Sequence, residues 1–488
     1  MTIARARSLS IDVLYRPIPQ GPETVPLDQD QVEEDIESSQ PRITPSTDIL
    51  VDSRIKWIHF ILGCSVLLPW NVIITATPYF LKRLAGSGIE HTFSSYLSTT
   101  FTAANFIILA HATVTSKHTS PSKRARISIV WLVVLTSFLV FSTFFVSTPG
   151  LFFTFVLING AAQAGAGSYL QTAVIAVASL FGPAAVQAMM AGQAAVAVAV
   201  SGVQVMSAAA STWGKASSYT SDGSAEERSA FIFFTLSTLF LVASAGAHAW
   251  LIDMPAYKAI AAPLEQQAAK AHHAALDTIT PQPLVSRGRS EAGDDRRQAI
   301  RVAKANIIYE VAVAYVFLIT LAVYPPITTS IMPVNPETHP LLFSSIHFLV
   351  FNIGDFLGRY ICSFPIFLVW SRKRILGMSL ARTLFIPLFL MCNVQRPSLM
   401  VTSTPIINSD FIFMLILFVF GWSNGYVSSL CMMSAPSIEH NPRLKGRVED
   451  VDVAATVASF CLVGGLVLGS IASFAVKSAV CQCNPFTA

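Results

Sequence analysis

The sequence predicts an all-α, polytopic membrane protein, and three observations carry that class. The chain has 488 residues, of which 53% are hydrophobic and only 12% charged, about half the charge of an ordinary soluble domain. Its charges are also gathered: residues 1–56 hold 16 and residues 253–304 hold 14 of the 60 Asp, Glu, Lys and Arg. What remains is a series of apolar runs of about 20 residues, the helical length that crosses a ~30 Å hydrocarbon core. This pattern excludes a soluble enzyme.

Residues 1–54 carry Pro17, Pro19, Pro22, Pro26, Pro41 and Pro45 and an acidic patch from Asp28 to Glu37. Such a segment buries too little apolar area to offset its ordering entropy, so a disordered cytosolic tail is expected. Eleven transmembrane helices follow, at 57–80, 92–115, 127–147, 150–180, 184–210, 230–252, 305–331, 341–370, 375–393, 410–433 and 453–479. They group as a first bundle of six (55–252), a charged cytosolic linker loop (253–304) and a second bundle of five (305–480). A short extracytosolic tail (481–488) closes the chain. This 6+5 two-bundle layout is major-facilitator-like. With the N-terminus cytosolic, 24 of the 32 Lys and Arg fall on the cytosolic side and six on the other; the positive-inside rule therefore predicts N-in and C-out.

Ionisable residues inside a bilayer are costly and point to function. The eighth span reads FNIGDFLGR, with Asp355 at the middle of the expected span and Arg359 four residues on, so both share one helix face with Asn352. Trp70 and Asn71 follow Pro69 in the first span, and Gln171 lies about six residues from the centre of the fourth, a displacement of ~9 Å. One cavity bordered by these groups would present an aromatic face, amides, a carboxylate and a guanidinium. That set suits a neutral polyhydroxylated ligand bearing a ring.

Other polar groups read more blandly. Glu310 and His347 are candidates for proton coupling; snorkelling to the surface and a structural hydrogen bond are the competing readings. His59, His111 and Arg382 are expected at interfaces or helix contacts, and Gln187, Gln193 and Gln204 in interhelical hydrogen bonds. Gly465 and Gly469 make a G-x-x-x-G packing pair. Five of seven cysteines sit in apolar runs and read as buried. No metal site, cofactor or nucleic-acid surface is expected.

Four strings, in order, resemble equilibrative nucleoside transporters: LLPWN at 67–71 with TATPYF at 75–80, MAGQ at 190–193, FNIGDFLGR at 351–359 and WSNGYVSSLCM at 422–432. The resemblance implies a nucleoside carrier, in some members also a nucleobase carrier, working by alternating access through a central cavity. It implies that Leu67, Trp70 and Ile74 contact substrate, that Gln171 reads the base, and that Asp355 and Arg359, beside Asn352, engage the ribose. Gly354 within the eighth-span motif and Met433, Ser434 and Ala435 after the tenth depart from the family pattern.

The alternatives are a major-facilitator carrier of another neutral solute, normally with twelve spans, and a proton-coupled nucleoside transporter. An enzyme is not expected, since no HExxH, GxSxG or P-loop occurs. Asp355 has a built-in counter-ion in Arg359, so facilitated diffusion is the default, with Glu310, His347 and Asp355 as the coupling candidates. The long tail and the strings Tyr15-Arg16-Pro17-Ile18 and Tyr257-Lys258-Ala259-Ile260, which fit a tyrosine sorting pattern, favour a vacuolar or endolysosomal membrane over the plasma membrane.

Overall fold

The computed structural model describes residues 52–116, 119–145, 148–213, 224–263, 265–266, 284–324, 327–335, 338–394 and 405–481. All but the last three residues of the expected 1–54 tail lie outside these. The helices are α1 (Ser53–Thr75), α2 (Thr77–Arg83), α3 (Phe93–Val114), α4 (Pro121–Ser142), α5 (Pro149–Leu180), α6 (Pro183–Trp213) and α7 (Ser224–Asp253) in the first half. The second half has α8 (Leu284–Val323), α9 (Pro340–Ile361), α10 (Arg372–Ala381), α11 (Phe385–Leu390), α12 (Asp410–Ser434) and α13 (Val451–Cys481).

Nine helices among the described residues are long and apolar enough to cross a membrane: α1, α3, α4, α5, α6, α7, α8, α12 and α13. The other two expected spans differ for local reasons. The eighth ends at Ile361 rather than 370, because Pro365 cannot continue a helix and holds Phe364 extended (ψ 120°). Asp355 therefore lies a little over a turn past the middle of the helix, and Arg359 lies in its last turn. The ninth is broken into α10 and α11 by a 3₁₀ turn at Arg382–Leu384, where Pro387 can offer no N–H to the carbonyl of residue 383.

The linker also departs from a loop. Residues 255–263 are helical, and α8 starts at Leu284, inside the expected 253–304 loop. The extra turns are pinned by tertiary contacts, since Gln298 Nε2 (2.8 Å) and Arg301 Nη2 (3.0 Å) both donate to the buried Asp450 carboxylate. Tyr257 is 2% exposed and donates to Glu265 Oε1 at 2.7 Å. It is thus folded into the protein rather than displayed as a sorting signal. Tyr15-Arg16-Pro17-Ile18 lies outside the described residues.

The chain reverses between α5 and α6 on Phe181 and Gly182, the latter at φ +92°, a left-handed conformation suited to glycine, with Pro183 opening α6. The two halves repeat one packing scheme. In the first, α1 lies on α6 and α3 on α5; in the second, α8 lies on α13 and α9 on α12. Glycines allow these approaches: a Cβ on Gly192 would stand 2.0 Å from Phe60 O, and one on Gly465 2.2 Å from Ala314 O. The halves then meet along two matching seams, α6 against α9, and α3 and α5 against α13.

Candidate functional site

The site is built where α9 and α12 touch. Gly354 and Gly358 of α9 face the backbone at Phe418 and Trp422, while Gly421 and Gly425 of α12 face that at Phe351 and Asp355. Gly354, a departure from the family pattern, is therefore part of this contact. The close approach brings Asn424 of α12 to the acidic group of α9, and Asn424 Nδ2 donates to Asp355 Oδ1 at 2.6 Å.

Asp355 and Arg359 form one ion pair, with Nε 2.9 Å from Oδ2 and Nη2 3.5 Å from Oδ1. Both are nearly enclosed, 7% and 6% exposed. A pair this buried is held by its additional hydrogen bonds as much as by its charges. Arg359 supplies two of them across the seam, donating from Nη1 to Met190 O (3.3 Å) and accepting at its own carbonyl from Gln187 Nε2 (2.9 Å). The MAGQ string thus meets the eighth-span signature through its backbone.

The remaining expected residues divide between the seams and the first bundle. Asn352 Nδ2 donates to Ser201 Oγ of α6 at 2.5 Å. Gln171 Nε2 donates to Ser459 Oγ of α13 at 2.8 Å, close to the stacked rings of Phe106 and Phe460 at 5.5 Å. Trp70 packs on Phe101 of α3 at 4.7 Å, and Asn71 Nδ2 returns to Leu67 O at 2.9 Å. Along α1, Leu67 and Trp70 are half-buried and Ile74 is 39% exposed. The amides expected to border one open cavity are thus already engaged: Asn71 with its own helix, Gln171 and Asn352 across the seams.

Glu310 and His347 stand elsewhere. Glu310 is buried in α8 with Oε1 lacking a partner among the described residues. His347 is buried beside a separate cavity of about 220 Å³ lined by Thr328, Ile331, Met332, Pro333, Phe343 and Ser344.

Arg382 is the residue that sequence reasoning undervalued. Expected at an interface or helix contact, it is 1% exposed and lies with its guanidinium carbon 4.5 Å from the Phe420 ring centre. It donates to Phe420 O (3.0 Å), to Thr320 Oγ1 (2.9 Å) and to Ser423 Oγ. The signal available was an arginine within an apolar run just ahead of a proline.

The family described as "Nucleoside transporter" matches residues 153–478, a range that includes Gln171, the MAGQ string, Asp355, Arg359 and the SNGY turn of α12. The chain belongs to the nucleoside transporter family. Equilibrative nucleoside transporter 1 of Rattus norvegicus is 28% identical over 477 residues, covering 87% of this chain and 96% of the relative. Equilibrative nucleoside transporter 1 of Homo sapiens is 25% identical over 471 residues with the same coverage. Equilibrative nucleoside transporter 2 of Homo sapiens is 26% identical over 471 residues, covering 86% and 96%. The structure of FucP, a major facilitator superfamily transporter in the outward conformation, superposes with a TM-score of 0.51 at 15% identity, over 88% of this chain and 94% of FucP. That likeness shows the fold alone. The protein is therefore a multi-pass membrane transporter of nucleosides with a major-facilitator-like fold, and not an enzyme.

Proposed function

We propose that this transporter equilibrates nucleosides, and nucleobases with them, by alternating access between its two bundles, without ATP. The observation that carries the proposal is the double engagement of the Asp355–Arg359 pair. The carboxylate and guanidinium suited to ribose hydroxyls also tie α9 to Met190 of the opposite bundle. Gln171 has the same duality, bonded to Ser459 here and chemically able to read a base edge. A ligand that takes over these bonds lowers the cost of parting the seams, which links binding to movement. Leu67, Trp70 and Ile74 supply an apolar and aromatic strip for the base, and Asn352 lies one turn before Asp355.

The proposal includes eleven spans with N-in and C-out, supported by the bias of 24 to six in Lys and Arg. It also includes a vacuolar or endolysosomal membrane, supported by the long tail and its pattern at Tyr15 but not by Tyr257, which is buried. Uptake of labelled uridine into proteoliposomes without ATP tests the activity; strict ATP dependence or absence of flux refutes it. Epitope tags at the two ends, stained before and after permeabilisation, test the topology. Imaging the full chain beside one lacking residues 1–50 tests the membrane.

A second reading, proton-coupled transport, is favoured by one observation. Glu310 keeps a carboxyl oxygen buried with no partner among the described residues, and an ionisable group inside a helical membrane bundle is a candidate for a proton path.

A further inference from the structure

Four side chains on four helical segments form a chain of hydrogen bonds that ends on the candidate ribose-binding carboxylate. Arg382 Nη2 donates to Thr320 Oγ1 (2.9 Å), Thr320 Oγ1 stands 2.7 Å from Asn424 Oδ1, and Asn424 Nδ2 donates to Asp355 Oδ1 (2.6 Å). The direction is fixed at both ends, because a guanidinium only donates and a carboxylate only accepts. Asn424 must therefore turn its NH₂ to Asp355 and its oxygen to Thr320. Thr320 in turn must give its proton to Asn424, although Val316 O at 2.7 Å competes for it. Val316 O already accepts the helical N–H of Thr320, whereas the Asn424 oxygen takes its bond from the Thr320 hydroxyl, which accepting from the Arg382 cation makes a stronger donor.

We infer that Arg382 is a positioning residue for ribose recognition, acting through Thr320 and Asn424 on Asp355. At 1% exposure it touches no substrate itself. Its anchors are the Phe420 carbonyl, the Ser423 hydroxyl and the Phe420 ring, all on α12. The break between α10 and α11 places the residue there, inside the bundle. Asp355 Oδ1 is thereby held by Asn424 and Oδ2 by Arg359, so the carboxylate cannot rotate and keeps a fixed remaining lone pair for a sugar hydroxyl. Each residue of the SNGY string before the tyrosine then has its own part. Ser423 holds the arginine, Asn424 carries the bond onward, and Gly425 lets the backbones meet.

The inference rests on Asp355 as the ribose contact, and the test separates the two. Initial rates are measured in proteoliposomes of the full chain with uridine and with 2′,3′-dideoxyuridine, which lacks the 2′ and 3′ hydroxyls. Asp355→Asn reports on the contact itself. Thr320→Val removes the relaying hydroxyl, Thr320→Ser restores it, and Thr320→Ala stands in where the valine variant yields no folded protein. Thr320→Val is expected to raise the KM for uridine about three- to tenfold, to shift dideoxyuridine less than about twofold, and to add nothing in the Asp355→Asn background. Thr320→Ser should return uridine to near its original KM. Discrimination by Asp355→Asn without discrimination by Thr320→Val overturns the relay alone. Equal effects of Thr320→Val on both substrates make Thr320 and Arg382 packing residues only. No discrimination by Asp355→Asn removes the ribose contact, and the relay's role with it.

Discussion

Arg359 Nη1 lies 3.3 Å from the backbone oxygen of Met190, so the guanidinium that neutralises Asp355 within α9 also bridges to the opposite bundle. A side chain with three commitments, to a carboxylate, to a seam and to a proposed ligand, cannot be replaced by one that meets only the charge.

Arg359→Met strands a buried carboxylate, which typically costs about 3–5 kcal/mol. The double variant Asp355→Asn, Arg359→Met removes both charges and is expected to regain most of the lost thermal stability in detergent while showing no uridine uptake. A double variant no more stable than the single one would mean that the pair's charges are not what α9 depends on.

Gln171→Leu should weaken uridine binding by up to about tenfold, the worth of one polar contact, at normal expression. Ser459→Ala releases the same amide from the seam without removing it, so its affinity should be no weaker than that of the unaltered protein. If instead Ser459→Ala weakens binding as much as Gln171→Leu, the amide serves the seam rather than the ligand.

Gly425→Ala would place a Cβ 2.0 Å from Asp355 O and 3.0 Å from Arg359 N, both backbone atoms of a packed helix. It should sharply reduce the yield of folded protein. Gly464→Ala, with nothing within 4 Å of its Cβ, should be neutral or stabilising by up to about 1 kcal/mol of helix propensity. Thermal unfolding of the two variants side by side checks both.

Liposomes with an inwardly directed pH gradient should only equilibrate uridine. Accumulation that collapses with a protonophore would establish proton coupling instead. Glu310→Gln, His347→Gln and Asp355→Asn would then be compared, and loss of accumulation with exchange retained in one variant alone names the site.

Much of this protein was legible in one dimension because a bilayer imposes one-dimensional rules. Length and apolarity mark helices, Lys and Arg suggest sidedness, and a carboxylate four residues before an arginine can only form its pair on one helix face. The pairing of Asp355 with Arg359 followed from that spacing, and the G-x-x-x-G pair of α13 marked a close helix contact whose partner, α8, only the packing revealed. Tertiary structure decided what each group does with its second hydrogen bond. Gln171 and Asn352, expected to line a cavity, also hold the seams, a role set by partners Ser459 and Ser201 that lie far along the chain, in the opposite bundle. Arg382 was expected only at an interface or helix contact, with no partners named, because an isolated arginine in an apolar run has none in its own sequence neighbourhood. Thr320, Phe420 and Ser423 reach it only after α8, α12 and the broken ninth segment have packed. The sequence thus determined which stretches are apolar enough to span a membrane and which residues share a helix face, since both depend on local spacing. The packing of distant helices alone decided which of those residues meet, since that depends on contacts no local pattern encodes.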